Sequence, residues 1–189
     1  MKYDRTIIAY HGCDAAVAAR ILNGEPFKKS QNKYDWLGEG IYFWEYGADR
    51  AIRFAEDQRR RGKVTVPTVV GALIQLGRCF DLMDTHFTSE LSIAFVRFKA
   101  SQSLRGLPMP ENRGATPDKL LRLRDCAVMN YYLRRIEEAG EASYDTVRCC
   151  FIEGEPAFDG SGIQQQSHVQ IAVRNPACVV GVFRPTITP

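Results

Sequence analysis

Three short segments of this 189-residue chain place a polar or aromatic side chain where an apolar strand would be simplest without it. The first is Tyr10-His11-Gly12. With Ile7, Ala9 and His11 on one strand face, the imidazole ends an apolar row, where it can hydrogen-bond to a ligand. Gly12 has no side chain, so a ligand can approach its backbone N–H and C=O. The second is Gly38-Glu39-Gly40-Ile41-Tyr42-Phe43-Trp44. Period two sets Gly40, Tyr42 and Trp44 on one face, and a tyrosine beside Gly40 offers its ring as a platform for a planar aromatic ligand. The third runs from Ser167 to Arg174. Val169, Ile171 and Val173 make an apolar face; His168, Gln170, Ala172 and Arg174 make the other, and Gln170 next to the small Ala172 suits a cleft wall. Each segment also has a plainer reading: a core histidine before a turn glycine, an aromatic core strand, a solvated outer face.

These segments need strands to hold them. Thr6 to Tyr10 reads as a strand ending at His11-Gly12. Asp14 is placed to N-cap a helix with Ala15, Ala18, Ala19 and Leu22 at helical spacing, stopped by Asn23-Gly24. A polar loop, Glu25 to Trp36, leads to a short buried strand, Ile41 to Trp44. A second helix carries Ala48, Ala51, Ile52 and Ala55 on one face and ends at Gly62. Val64 to Leu76 reads as a strand, interrupted at Pro67. Ser89 to Gln102 and Pro117 to Ala139 show helical periodicity, the latter with a stripe of Leu120, Leu123, Ala127 and Tyr131; the turn-rich 106–117 joins them. Strands return at Tyr144 to Ile152, His168 to Arg174 and Cys178 to Phe183, the first two separated by the loop Glu153 to Ser167. The expected fold class is α+β in one domain, residues 1–189, with a helical insertion over about 85–142.

Composition narrows the chemistry. Apolar residues form 45% and charged residues 25%, normal for a globular chain. No apolar run approaches the roughly 20 residues that span a bilayer, and the opening run is too short for a secretory signal core; the expected location is cytoplasmic, with no membrane partner. The six cysteines form no C-x-x-C pair and are not near the three histidines at zinc-ligand spacing, so buried thiols are expected and a metal site is not. A net charge of +3 does not by itself call for nucleic acid.

In combination the segments are specific. A His-Gly closing the first strand, a helix stopped by Asn23-Gly24, then Gly-x-Gly-Ile-Tyr-Phe and an Ala-rich helix resemble the poly(ADP-ribose) polymerase-like ADP-ribosyltransferase family over His11 to Ala55. The likeness resumes over His168 to Phe183 and is absent over about 64–142. The resemblance implies a split β-sheet core and NAD as the substrate that donates ADP-ribose. It implies that His11 holds the adenine-side ribose, that the Gly12 backbone clamps the nicotinamide carboxamide, and that Tyr42, beside Gly40, stacks on the nicotinamide ring. Phe54 stands near the place of a second aromatic ring, with Arg53 and Tyr46 close by.

The third catalytic position departs from the family. Polymerising members carry glutamate there, and this chain matches with Gln170. A glutamine amide can accept a hydrogen bond from a ribose hydroxyl, but it cannot act as a general base or bring negative charge to an oxocarbenium-like state. Chain elongation is then expected to be lost and single-unit transfer retained. Glu153 and Glu155 resemble an acceptor-contacting loop, and Glu155 is a candidate to position or deprotonate the acceptor. Arg59-Arg60-Arg61 suits a helix C-terminus, while Arg122, Arg124, Arg134 and Arg135 suit a solvated, charge-paired face. The expected activity is NAD-dependent mono-ADP-ribosyl transfer to a macromolecule, protein ahead of nucleic acid, as in a bacterial toxin or regulatory modifier. A non-catalytic NAD or ADP-ribose binding module and an NAD glycohydrolase are the alternatives.

Overall fold

Asp14 both ends the first strand and starts the first helix. Its carboxylate accepts from Ala16 N at 2.9 Å, the capping bond, and from Thr65 N at 2.6 Å and Val66 N at 3.1 Å, which ties this corner to the start of a distant strand. The computed structural model describes residues 3–114 and 119–186. Over these the order is β1 (Tyr3–Asp14), α1 (Ala15–Leu22), β2 (Ile41–Glu45), α2 (Ala48–Arg60), β3 (Pro67–Gly77), β4 (Cys79–Asp81), α3 (Thr85–Leu104), α4 (Leu123–Glu138), β5 (Thr146–Phe151), β6 (His168–Val173), a 3-10 turn (Pro176–Cys178) and β7 (Val179–Phe183). The chain is α+β.

All seven strands join one sheet in the order β4-β5-β6-β2-β1-β3-β7. Only β4 and β5 pair in parallel; the other pairs are antiparallel. Three strands separate β3 from β5 in this order, yet Thr146 Oγ1 donates to Leu76 O at 2.7 Å and Asp145 accepts from Arg78 N at 2.8 Å. The sheet therefore curls on itself. Ile7, Ala9, Phe43, Ile74, Leu76, Ile171 and Val173 fill the inside of the curl. On the outside, α3 and α4 pack on β4 and β5 through Phe80, Phe87, Tyr132, Leu133 and Val147, and α2 packs on β1 to β3 through Tyr10, Trp44, Ala51 and Val69.

Charge is buried too. Arg148 Nε donates to Glu45 at 2.6 Å and Nη1 to Asp81 at 3.0 Å, so one guanidinium bridges β5 to β2 and β4; Arg5 adds a 3.3 Å bond to Glu45 from β1.

Several expectations shift. Strand β1 runs past His11-Gly12 to Asp14, because β3 pairs with it as far as Pro67. Pro67 begins β3 rather than interrupting it, the strand position that tolerates a missing N–H. Helix α4 starts at Leu123; Pro117 lies outside the described residues. Its buried face is Cys126, Met129 and Leu133 with Val128 and Tyr132, not the stripe through Leu120, Leu123, Ala127 and Tyr131. Three of those four line a groove instead (below). The three-residue β4 is too short to show a period in sequence. All six cysteines are free thiols, four of them buried. No helix among the described residues is long and apolar enough to cross a membrane.

Candidate functional site

The ladder between β1 and β2 is only two pairs long, Ala9 with Glu45 and Tyr10 with Trp44. Ile8 O accepts from Tyr46 N at 3.2 Å, so the backbone groups of Ile8 face β2. Alternate residues face the same edge, which turns Tyr10 and Gly12 towards β2 as well. Gly12 would pair next, with Tyr42, but the ladder stops before it. Tyr42 O instead accepts from His11 Nδ1 at 2.8 Å. The imidazole is a wedge in the ladder, and it leaves the Gly12 edge of β1 outside the pairing.

The ring is held between Phe27 and Phe43, with centroids at 5.3 and 5.6 Å. Burial lowers its pKa, partly offset by the bond to Tyr42 O. A carbonyl can only accept, so Nδ1 carries the proton and the neutral ring presents Nε2 as an acceptor. Packing also requires a glycine at position 12. A Cβ there would lie 2.0 Å from Ala51 O of α2, so the glycine lets the helix close on β1. Gly12 is buried, and its N–H and C=O lie on the strand edge that β2 does not pair.

Tyr42 lies on the other face of the sheet, half-buried against the cluster of Leu37, Met129 and Ala172. Its hydroxyl donates to Gly38 O at 2.8 Å and accepts from Leu37 N at 3.0 Å, pinning the loop before β2. The notch expected at Gly40 is filled from β6: a Cβ would meet Ala172 Cβ and Val173 O, each at 3.1 Å. Phe54 is 39% exposed on α2 and contacts Trp44 with ring centroids 5.0 Å apart.

Gln170 stands directly opposite Trp44, on the same face as Tyr42, and is 7% exposed. A solvated outer face is thereby excluded. Its Oε1 accepts from Trp36 Nε1 at 2.6 Å. An indole nitrogen can only donate, so this bond sets the amide orientation and turns the NH2 end away from Trp36. The indole stacks on Phe151, and the Arg122 guanidinium sits 4.0 Å above its centroid. Arg122 is thus mostly buried over two aromatic rings, not on a solvated face. A tryptophan in an otherwise polar loop was the one sequence signal for this arrangement.

Beside the amide lies a second polar group that the sequence did not bring together. Arg50 donates to Glu153 at 2.9 Å and to Gln166 at 3.4 Å. His168 Nδ1 donates to Gln166 O at 2.7 Å. The side chains of His168 and Glu153 are 4% and 9% exposed, whereas Glu155 faces solvent. The indole nitrogen of Trp44 and His168 Nε2 are buried with no hydrogen-bond partner among the described residues. The structure therefore brings Tyr42, Trp44 and Gln170 to one face, lays His11 and Gly12 along the neighbouring strand edge, and leaves Glu155 outside.

Burial, aided by the charges of Arg50 and Arg122, pushes the His168 pKa down to about 4. Its 3.8 Å approach to Glu153 is accordingly no ion pair at neutral pH. The pH consequence follows from linkage. The unfolded chain takes up a proton near pH 6.5 and the folded chain only near 4. Stability is complete above about 6.5 and falls as the pH drops towards 4, with the lowered pKa of His11 acting in the same sense. His168 alone should remove on the order of 2 kcal/mol by pH 5. Thermal melts at pH 7.5 and 5 check this; a His168→Asn variant should show a flatter pH slope, and an unchanged slope would assign the acid sensitivity elsewhere.

No family model matches the chain, and no solved structure matches it. One curated relative does: an uncharacterized protein, MJ0359, of the archaeon Methanocaldococcus jannaschii, 29% identical over 158 residues, which covers 80% of this chain and 67% of the relative.

Proposed function

We propose that this chain binds NAD and transfers one ADP-ribose unit to a macromolecular acceptor, releasing nicotinamide, on a split sheet of the ADP-ribosyltransferase kind. The observation that carries the reading is the edge of β1 left unpaired with β2 at the buried Gly12, beside a neutral imidazole, with Gln170 on the next strand but one. A strand edge offers an N–H and a C=O side by side, the complement of a primary carboxamide. His11 Nε2 accepts from a hydroxyl of the adenine-side ribose. The amide NH2 of Gln170, its oxygen being held by Trp36, donates to the nicotinamide-side ribose.

The glycosidic bond breaks with its electron pair passing to the nicotinamide nitrogen, and an acceptor nucleophile bonds to C1′ and loses its proton. Gln170 cannot take that proton. Glu153, buried beside Arg50 and His168, is a better candidate to steer the acceptor than the solvent-facing Glu155. A second reading, an NAD-binding module without turnover, is favoured by one feature: no carboxylate occupies the Gln170 position.

Nicotinamide release from NAD by the purified protein tests both. Release is expected, with Gln170→Ala at least about tenfold slower. Gln170→Glu keeps an acceptor for the Trp36 N–H and adds charge beside the developing cation, and is expected to be faster. Binding by calorimetry with no release favours the module, free ADP-ribose without a labelled target indicates a glycohydrolase, and neither binding nor release rejects the NAD reading.

A further inference from the structure

A groove of about 880 Å³ lies away from Gln170, between the C-terminal half of α3, the outer side of α4, the 108–113 segment and residues 31–33. Its walls are fixed by hydrogen bonds. Asn112 Oδ1 accepts from Arg124 N at 2.8 Å, and its amide donates to Asp125 at 2.9 Å. Arg124 Nε donates to Pro110 O at 2.8 Å. At the other end, Asn130 Oδ1 accepts from Glu39 N at 3.0 Å. The groove therefore stands open without rearrangement.

Its charge is lopsided. Lys33, Arg105, Arg113, Arg134 and Arg135, all exposed, come from four separate segments, and among the described residues the acids lining the groove are Glu111 and Glu138. The resulting excess of three positive charges equals the formal net charge of the whole chain, so the remainder sums to zero. Arg135 pairs with Glu138 at 2.8 Å; Lys33, Arg105, Arg113 and Arg134 form no ion pair among the described residues. The half-buried Tyr131, backed by the buried Phe98 with ring centroids 5.4 Å apart, lines the same groove.

We infer that this groove binds a single strand of nucleic acid. Cations drawn from several segments track a phosphate backbone, and the Tyr131 ring in the same groove offers a base a face to stack on. An acidic peptide would use the cations but has no rings for Tyr131. The inference is independent of the NAD reading, since binding is measured without NAD.

Fluorescence anisotropy with labelled 12-nucleotide oligouridylate RNA and oligothymidylate DNA tests it. At 50 mM salt one or both strands should bind, with log affinity falling against log salt at a slope of about −3, as expected for roughly four phosphate contacts. Lys33→Ala/Arg105→Ala/Arg113→Ala, folded by circular dichroism, should weaken binding more than tenfold and flatten the slope by about 2. Tyr131→Ala should cost about fivefold or more. A control, Arg59→Ala/Arg60→Ala/Arg61→Ala at the end of α2, should bind within twofold of wild type. If the triple groove variant does not fold, the single variants Lys33→Glu and Arg113→Glu carry the same comparison. Absence of binding to both strands, equal loss in the control, unchanged binding in the groove variants, or displacement by oligoglutamate at concentrations where oligouridylate fails would overturn it.

Discussion

Replacing His11 with alanine is expected to reduce nicotinamide release from NAD by about a hundredfold or more, the usual loss when an oriented polar group is taken from a closed site. Alanine alone does not separate chemistry from folding. It removes the bond to Tyr42 O and the ring that fills the space between Phe27 and Phe43, a loss of about 2–4 kcal/mol in a packed site. His11→Asn is the discriminating variant. Its side-chain NH2 can reach Tyr42 O much as Nδ1 does, so the β1–β2 junction keeps its wedge, but nothing takes the place of Nε2. The expectation is a fold near wild type in thermal melts with the same loss of turnover. The reverse pattern, a destabilised but fully active His11→Asn, would reduce His11 to a structural wedge and remove the main support for a ribose contact.

Arg148→Ala should produce the largest loss of stability. Glu45 and Asp81 are both buried and share the Arg148 guanidinium, the mostly buried cation of the network; the half-exposed Arg5 adds only a longer bond to Glu45. Burial works against the charge on Arg148, and the two carboxylates more than offset it, so its pKa is raised and it remains charged. Removing the cation leaves two acids at 7% and 8% exposure. The expected cost is about 3–5 kcal/mol, a fall in Tm of about 10 °C for a chain of this size. The variant Arg148→Met with Glu45→Gln and Asp81→Asn removes charge on both sides and should regain much of that loss. A drop below about 3 °C for Arg148→Ala would mean that solvent reaches the carboxylates. The network holds β2 between β4–β5 and β1, so its loss should also loosen the strands that carry Tyr42 and Gln170.

Much of the local structure was legible. Asp14 as an N-cap, Asn23-Gly24 as a stop, the strand Ile41 to Trp44 and the inward face of Ile171 and Val173 follow from capping and period-two patterning, both of which are local rules. The helical middle was read less well because α4 has two occupied sides. One packs on the sheet and the other lines the groove, so two apolar stripes compete in a single period, and the one legible in the sequence is largely the groove side.

The site divides along the same line. Residue types and spacing determined which side chains are available: His11 and Gly12 at the end of an apolar row, Tyr42 near glycine, and Gln170 beside the small Ala172. Tertiary structure decided what each one faces. Gly12 is small because α2 closes on it, and Glu153 rather than Glu155 turns inward because Arg50, 103 residues away in sequence, is there to meet it. Trp36 reaches Gln170 across 134 residues. Hydrogen bonds that close such long loops leave no period and no motif, because their partners are set by how the sheet curls and not by neighbours in the chain.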